Sequence, residues 1–82
     1  MSAVREIRDH AKMFGWSCRR EAMGDTFVLG GNMVAVDYRK DGTVDRGYRY
    51  RFHVATGPKL CEATPIRNKK STVVSWLVSL GG

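Results

Sequence analysis

The side chains able to carry acid–base or nucleophilic chemistry are two histidines, His10 and His53, and two cysteines, Cys18 and Cys61. Catalysis by such groups needs a nucleophile, a base and an orienting partner within hydrogen-bond reach, in a site shielded from water. Neither histidine adjoins a Ser, Cys or carboxylate in a nucleophile motif, and no H-E-x-x-H, P-loop or dinucleotide fingerprint occurs. Two cysteines make no disulfide framework, and no C-x-x-C pair exists for zinc or redox work. Carboxylates are not paired on one face, which argues against glycosidase or magnesium-nuclease chemistry. The expectation is a non-enzyme with no metal and no cofactor.

A stronger signal is the interleaving of cations with aromatics in Arg46, Tyr48, Arg49, Tyr50 and Arg51, followed by Lys59, Arg67, Lys69 and Lys70. The chain has 82 residues, with 14 Lys and Arg against eight Asp and Glu, a net charge of +6. Its first 45 residues balance; from Arg46 onward Glu62 alone opposes the cations, so the whole excess belongs to the second half. A polyanion would be drawn there by phosphate neutralisation and counterion release. Ordinary solubility accounts equally well for a charge of this size, since small domains commonly carry about 2–8.

These groups sit on elements whose signals run from the first residues of the chain to the last. Ser2 is placed to cap a helix whose apolar residues Val4, Ile7, Ala11 and Phe14 recur every three or four positions, with Gly15 closing it. Arg5, Arg8 and Lys12 form a solvated stripe, and Arg5–Asp9 and Glu6–His10 are i,i+4 pairs. A strand over 16–21 puts Cys18 on the face of Trp16, as a small buried hydrophobe. Met23-Gly24-Asp25 reads as a turn, 26–29 as a returning strand, and Gly30-Gly31-Asn32 as a hairpin. Residues 33–39 alternate, with Val34, Val36 and Tyr38 on one face, and Lys40-Asp41-Gly42 is a three-residue loop needing positive φ at Gly42.

The longest strand runs from Thr43 to about Val54. A plain three-residue loop sets Tyr38 opposite Val44 and Val34 opposite Tyr48, which places Tyr48, Tyr50 and Phe52 in the core. Arg49, Arg51 and His53 then lie on an open face that is either hydrated or in contact with an anion. Gly47 marks a bulge or a close approach of another backbone. Residues 55–68 read as a long loop with Cys61 exposed. From Ser71 to Leu80 the Ser, Thr and Val content favours a strand, but Val73, Val74, Leu77 and Leu80 have helical spacing, and the reading taken is a helix with Asn68 or Ser71 as cap. Lys69 and Lys70 start this helix, where the macrodipole disfavours cations and a phosphate would relieve them.

The order helix, Gly15-Trp16, strand meander, Lys69-Lys70, final helix resembles the double-stranded-RNA-binding-domain-like fold. Within it the chain is similar to the HicA-type mRNA interferases, through Ser17-Cys18-Arg19-Arg20, Gly24-Asp25-Thr26-Phe27 and the stretch from Lys69 to Leu77. Those interferases carry a catalytic His at this turn; Thr26 and Phe27 stand here instead, so RNA cleavage is not implied. Double-stranded-RNA binders begin their last helix with Lys-Lys-x-Ala-Lys, which Lys69 and Lys70 match while Val73 replaces the third lysine. Both families have three strands, one fewer than the sequence predicts. Size and basicity are also similar to small actinobacterial phage proteins, which implies binding to a host component.

The sequence therefore predicts one α+β domain over residues 1–82, of order α-β-β-β-β-α, with an antiparallel meander sheet packed against two helices. It predicts a cytoplasmic chain with no membrane span and no leading signal segment. Its second half would contact nucleic-acid phosphates through Arg49, Arg51, Lys59, Arg67, Lys69 and Lys70. The alternative is a protein-interaction module for an acidic partner, dimeric through a sheet edge.

Overall fold

Ser2 begins the first helix as the sequence predicts: its hydroxyl accepts a hydrogen bond from the Val4 N–H at 3.1 Å. The computed structural model of the chain describes residues 2–81. Helix α1 spans Ala3–Met13 and buries Ala3, Ile7 and Ala11, one stripe of the predicted spacing. Gly15 ends it with φ +85°, a backbone state that costs a residue without Cβ little. Trp16 folds back to donate its backbone N–H to Ala11 O at 2.9 Å, and its ring is buried.

Five strands follow: β1 (Ser17–Arg20), β2 (Gly24–Leu29), β3 (Asn32–Tyr38), β4 (Val44–His53) and β5 (Gly57–Ala63). They form one antiparallel sheet in the order β1-β2-β3-β4-β5, and helix α2 (Lys69–Leu80) completes the chain. The architecture is thus α+β with a meander sheet and two helices, with five strands where the sequence predicts four. The fifth occupies half of the predicted 55–68 loop. No helix among the described residues is long and apolar enough to cross a membrane.

Both helices lie on one face of the sheet. Ile7 and Ala11 of α1 and Val73, Trp76 and Leu77 of α2 meet Phe27, Val34, Val36 and Val44 in a single core. Side chains of adjacent strands share a face with their cross-strand partners, so the register says which residues look at the helices. Val36 pairs with Gly47 and Val34 with Arg49, which puts Gly47 and Arg49 on the helix side. Ala35 pairs with Tyr48 and Met33 with Tyr50, so these face away from the helices. A Cβ on Gly47 would stand 2.6 Å from Val73 Cγ2 and 3.0 Å from Thr64 Cγ2, so this residue is the close approach the sequence marks, made by α2.

One extra residue overturns the predicted faces. Tyr38 pairs with Val44 as expected, but Asp37 pairs with Arg46, leaving Asp45 as an insertion in β4. Because strand side chains alternate with a period of two, a one-residue slip exchanges the faces. Tyr48, Tyr50 and Phe52, predicted in the core, lie on the open face; Arg49, Arg51 and His53, predicted on the open face, lie on the helix side. A second irregularity at Arg49/Tyr50 leaves Cys61 unpaired, so that Glu62 aligns with Arg49 while Leu60 aligns with Tyr50.

Smaller corrections have local causes. Cys18 is exposed rather than buried, because β1 is an outer strand whose residues are all exposed. The turn falls before Gly24, with Glu21 N–H donating to Gly24 O at 2.8 Å, and Gly24 and Asp25 belong to β2. Asn68 does precede α2, in the left-handed region at φ 60° and without a side-chain cap bond; Ser71 and Thr72 hydroxyls donate to its carbonyl instead.

Candidate functional site

Each predicted cation has a definite place, set by the element that carries it. Arg49 projects from β4 under α2 and meets Glu62 at 3.6 Å. Glu62 also accepts a hydrogen bond from Trp76 Nε1 at 2.8 Å, which fastens β5 to α2. The single carboxylate of the second half is thereby committed to structure. Lys70, at the start of α2, reaches back to Glu6 of α1 at 2.8 Å, and this contact holds the Glu6 carboxyl below its ordinary range. The predicted Glu6–His10 side-chain pair is replaced accordingly: His10 Nδ1 lies 2.8 Å from the Glu6 carbonyl oxygen. Arg49 and Lys70 are thus tied to carboxylates rather than free for a ligand.

The other four are open to solvent or nearly so. Lys69, half-buried at the first position of α2, lines a hollow together with Arg46, Tyr48 and Pro65. Arg67 is exposed in the loop just before it. Arg51 and Lys59 are exposed cross-strand partners near the far end of the β4–β5 hairpin, beside His53. None of Arg46, Arg51, Lys59, Arg67 and Lys69 has a carboxylate within 4 Å among the described residues. They gather in two groups, one towards each end of β4, separated by the five residue-to-residue steps from Arg46 to Arg51, or about 17 Å of strand. The Tyr48 hydroxyl beside Arg46 pushes that guanidinium's pKa further up, so it stays charged at every relevant pH.

On the helix-free side of β4, the face opposite Arg51 and Lys59, lies what the sequence misplaces. Tyr48, Tyr50 and Phe52 line the open face, with Met33 and Leu60 beside Tyr50. The repeat Tyr48-x-Tyr50-x-Phe52 is visible in the sequence, but its face depends on the Asp45 insertion.

A second cluster is buried. Asp25, 1% exposed, accepts from Arg8 Nε at 2.8 Å, Arg8 Nη2 at 2.9 Å and the Tyr38 hydroxyl at 2.9 Å. The fork of two parallel bonds is the strongest geometry open to an arginine–carboxylate pair. Burial, reinforced by the hydrogen bond to Asp25, pushes the Tyr38 hydroxyl far above a tyrosine's ordinary pKa. Arg8, read from sequence as part of a solvated stripe, is therefore structural. Partial desolvation also pushes the nearby Cys18 thiol up, which leaves it a poor nucleophile. Among the described residues no three His, Cys, Asp or Glu side chains converge as a metal site would need.

Comparison of the chain with protein-family models, with curated proteins and with solved structures returned no match.

Proposed function

We propose that this chain is a non-catalytic nucleic-acid-binding domain that holds its ligand through phosphate contacts from the second half. The observation that carries this reading is the set of unpaired cations. Among the described residues, Arg46, Arg51, Lys59, Arg67 and Lys69 have no carboxylate within 4 Å, while Glu62 is occupied by Arg49 and Trp76. Exposed cations that are not compensated within the fold retain their counterions in solution, and release them when phosphates take their place. Arg49 and Lys70 are assigned to the fold, and Arg46 joins the contact set.

Measuring the affinity for duplex and single-stranded oligonucleotides across a salt series tests this reading. Each true phosphate contact contributes about −0.9 to the log–log slope on duplex DNA and about −0.7 on a single strand. Replacing Arg46 and Lys69, or Arg51 and Lys59, by Ala flattens the slope by up to one such increment per residue. Binding that is absent, or indifferent to salt, contradicts the assignment.

A further inference from the structure

The helices cover one face of the sheet, and the register resolves the other into two rows that run across the strands. Val28, Met33, Tyr50 and Leu60 are cross-strand partners in turn, a ridge of large side chains over β2 to β5. Two residues along each strand runs a parallel row, Thr26, Ala35, Tyr48 and Ala63, in which all but the tyrosine are small. Phe52 and Pro58 lie beyond the ridge, and Asp37 and Arg46 beyond the small row. Phe52 and Leu60 are each 53% exposed, and Val28 is 42% exposed. Contiguous bare apolar surface on so charged a chain marks a place where something docks.

We infer that the occupant is a second copy of the chain, packed sheet against sheet about a two-fold axis that runs between the two rows. Such an axis lays the ridge of each copy over the small row of the other. Val28 then faces Thr26, Met33 faces Ala35 and Leu60 faces Ala63, large against small. Tyr50 meets the other copy's Tyr48, joining two tyrosine pairs whose ring centroids stand 6.4 Å apart within each chain. The strands of the two copies run antiparallel in the aligned stacking that paired sheets adopt about 10 Å apart. Charge selects this occupant. Arg51 and Lys59 project to the helix side and Lys69 belongs to α2, so an acidic partner finds its cations behind the sheet. Among the paired residues of the sheet, the charged side chains on the open face are Arg19, Arg46 and Asp37. The two-fold sets Arg46 of one copy beside Phe52 of the other and holds the two Arg46 about 20 Å apart, well beyond the screening length of about 8 Å. Area is sufficient as well. Five strands of this length lay out about 500 Å² per copy, or about 1,000 Å² for the pair, the size at which specific interfaces begin. The cations of both copies stay outside the joint, so the inference does not depend on the phosphate-binding reading.

The test is analytical ultracentrifugation of the full chain after nuclease treatment, over a concentration series of about 1 to 100 μM. The expected species has twice the 9.2 kDa mass of one chain, and added salt does not weaken it, because the joint is apolar. Met33→Lys and, separately, Leu60→Lys bring an unpaired charge into the joint and weaken association by roughly 100-fold or more. Both residues look away from the helices, so each variant keeps the circular dichroism of the native chain; Leu60, on the outer strand, serves should Met33→Lys fail to fold. Ala35→Glu dissociates the pair in the same way. Mixing it with Met33→Lys restores a dimer, since the axis sets residue 33 of one copy against residue 35 of the other. A chain that stays monomeric throughout the series overturns the inference while the phosphate reading stands. A dimer that both lysine variants leave intact overturns it in favour of another surface, such as a sheet edge. A dimer that dissolves at high salt overturns the apolar joint, and a mixture that stays monomeric overturns the proposed axis.

Discussion

Asp25 shows what a single buried charge asks of its neighbours. A carboxylate taken out of water is tolerable only when its lone pairs are met, and here Arg8 and Tyr38 supply three donors. Replacing Arg8 by Met removes two of them and leaves the charge stranded. The cost is about 3 kcal/mol, at the low end for a broken buried pair because the Arg8 side chain is 32% exposed. Urea denaturation measures it, and the double variant Arg8→Met/Asp25→Asn loses less than the sum of the two single changes. Part of this cluster was legible. Tyr38 sits on the core side of β3 as its alternation implies, but Asp25 lies in a Gly-Asp pair that suggests a turn. Its parity with Phe27, two residues on, was the signal that it points inward. The same lesson holds for Arg8, whose stripe looks solvated until the partner on β2 is known.

At the scale of elements, local chemistry wrote most of the fold into the sequence. The Ser2 cap, the Gly15 stop and the Gly30-Gly31 hairpin depend only on near neighbours, and each stands where its residues imply. What escaped depends on pairing between strands. Both residue sets of β4 alternate, Tyr48-Tyr50-Phe52 and Arg49-Arg51-His53, so alternation alone cannot say which is covered. The Asp45 insertion decides it, and a bulge leaves no compositional mark. Strand β5 was hidden for a related reason: its own irregularity at Cys61 breaks the period of two, and Gly57-Pro58 looks like loop. Pro58, Lys59 and that irregularity also blunt the outer edge against strand addition by another chain, which is how natural sheets guard an edge. Gly47 offers a test of the observed register. It is the point where α2 presses on β4, so Gly47→Ala forces Val73 aside and lowers stability by about 1–3 kcal/mol, measured by thermal or urea unfolding. Were the predicted register correct, the residue would look away from α2 and the substitution would be nearly neutral.

Over the whole molecule, the charge excess read from the sequence becomes a pattern rather than a territory. The six predicted contact residues do not share one surface. Two are bound to Glu6 and Glu62; of the rest, Arg67 and Lys69 lie towards the Arg46 end of β4, and Arg51 and Lys59 lie at its hairpin end on the helix side of the sheet. That arrangement suits an extended ligand better than a compact one, because a chain of phosphates can touch both ends. The cations of α1 are excluded from the account. Arg8 is held by Asp25, and the excess of cations over carboxylates belongs to the second half. The most direct measurement is therefore a map of the contact surface, by backbone amide NMR during titration with a single-stranded oligonucleotide. Salt-sensitive shifts are expected at Arg46, Arg51, Lys59, Arg67 and Lys69, with Arg5 and Lys12 unmoved. Shifts centred on α1, or none at these five residues, would overturn the phosphate-binding reading.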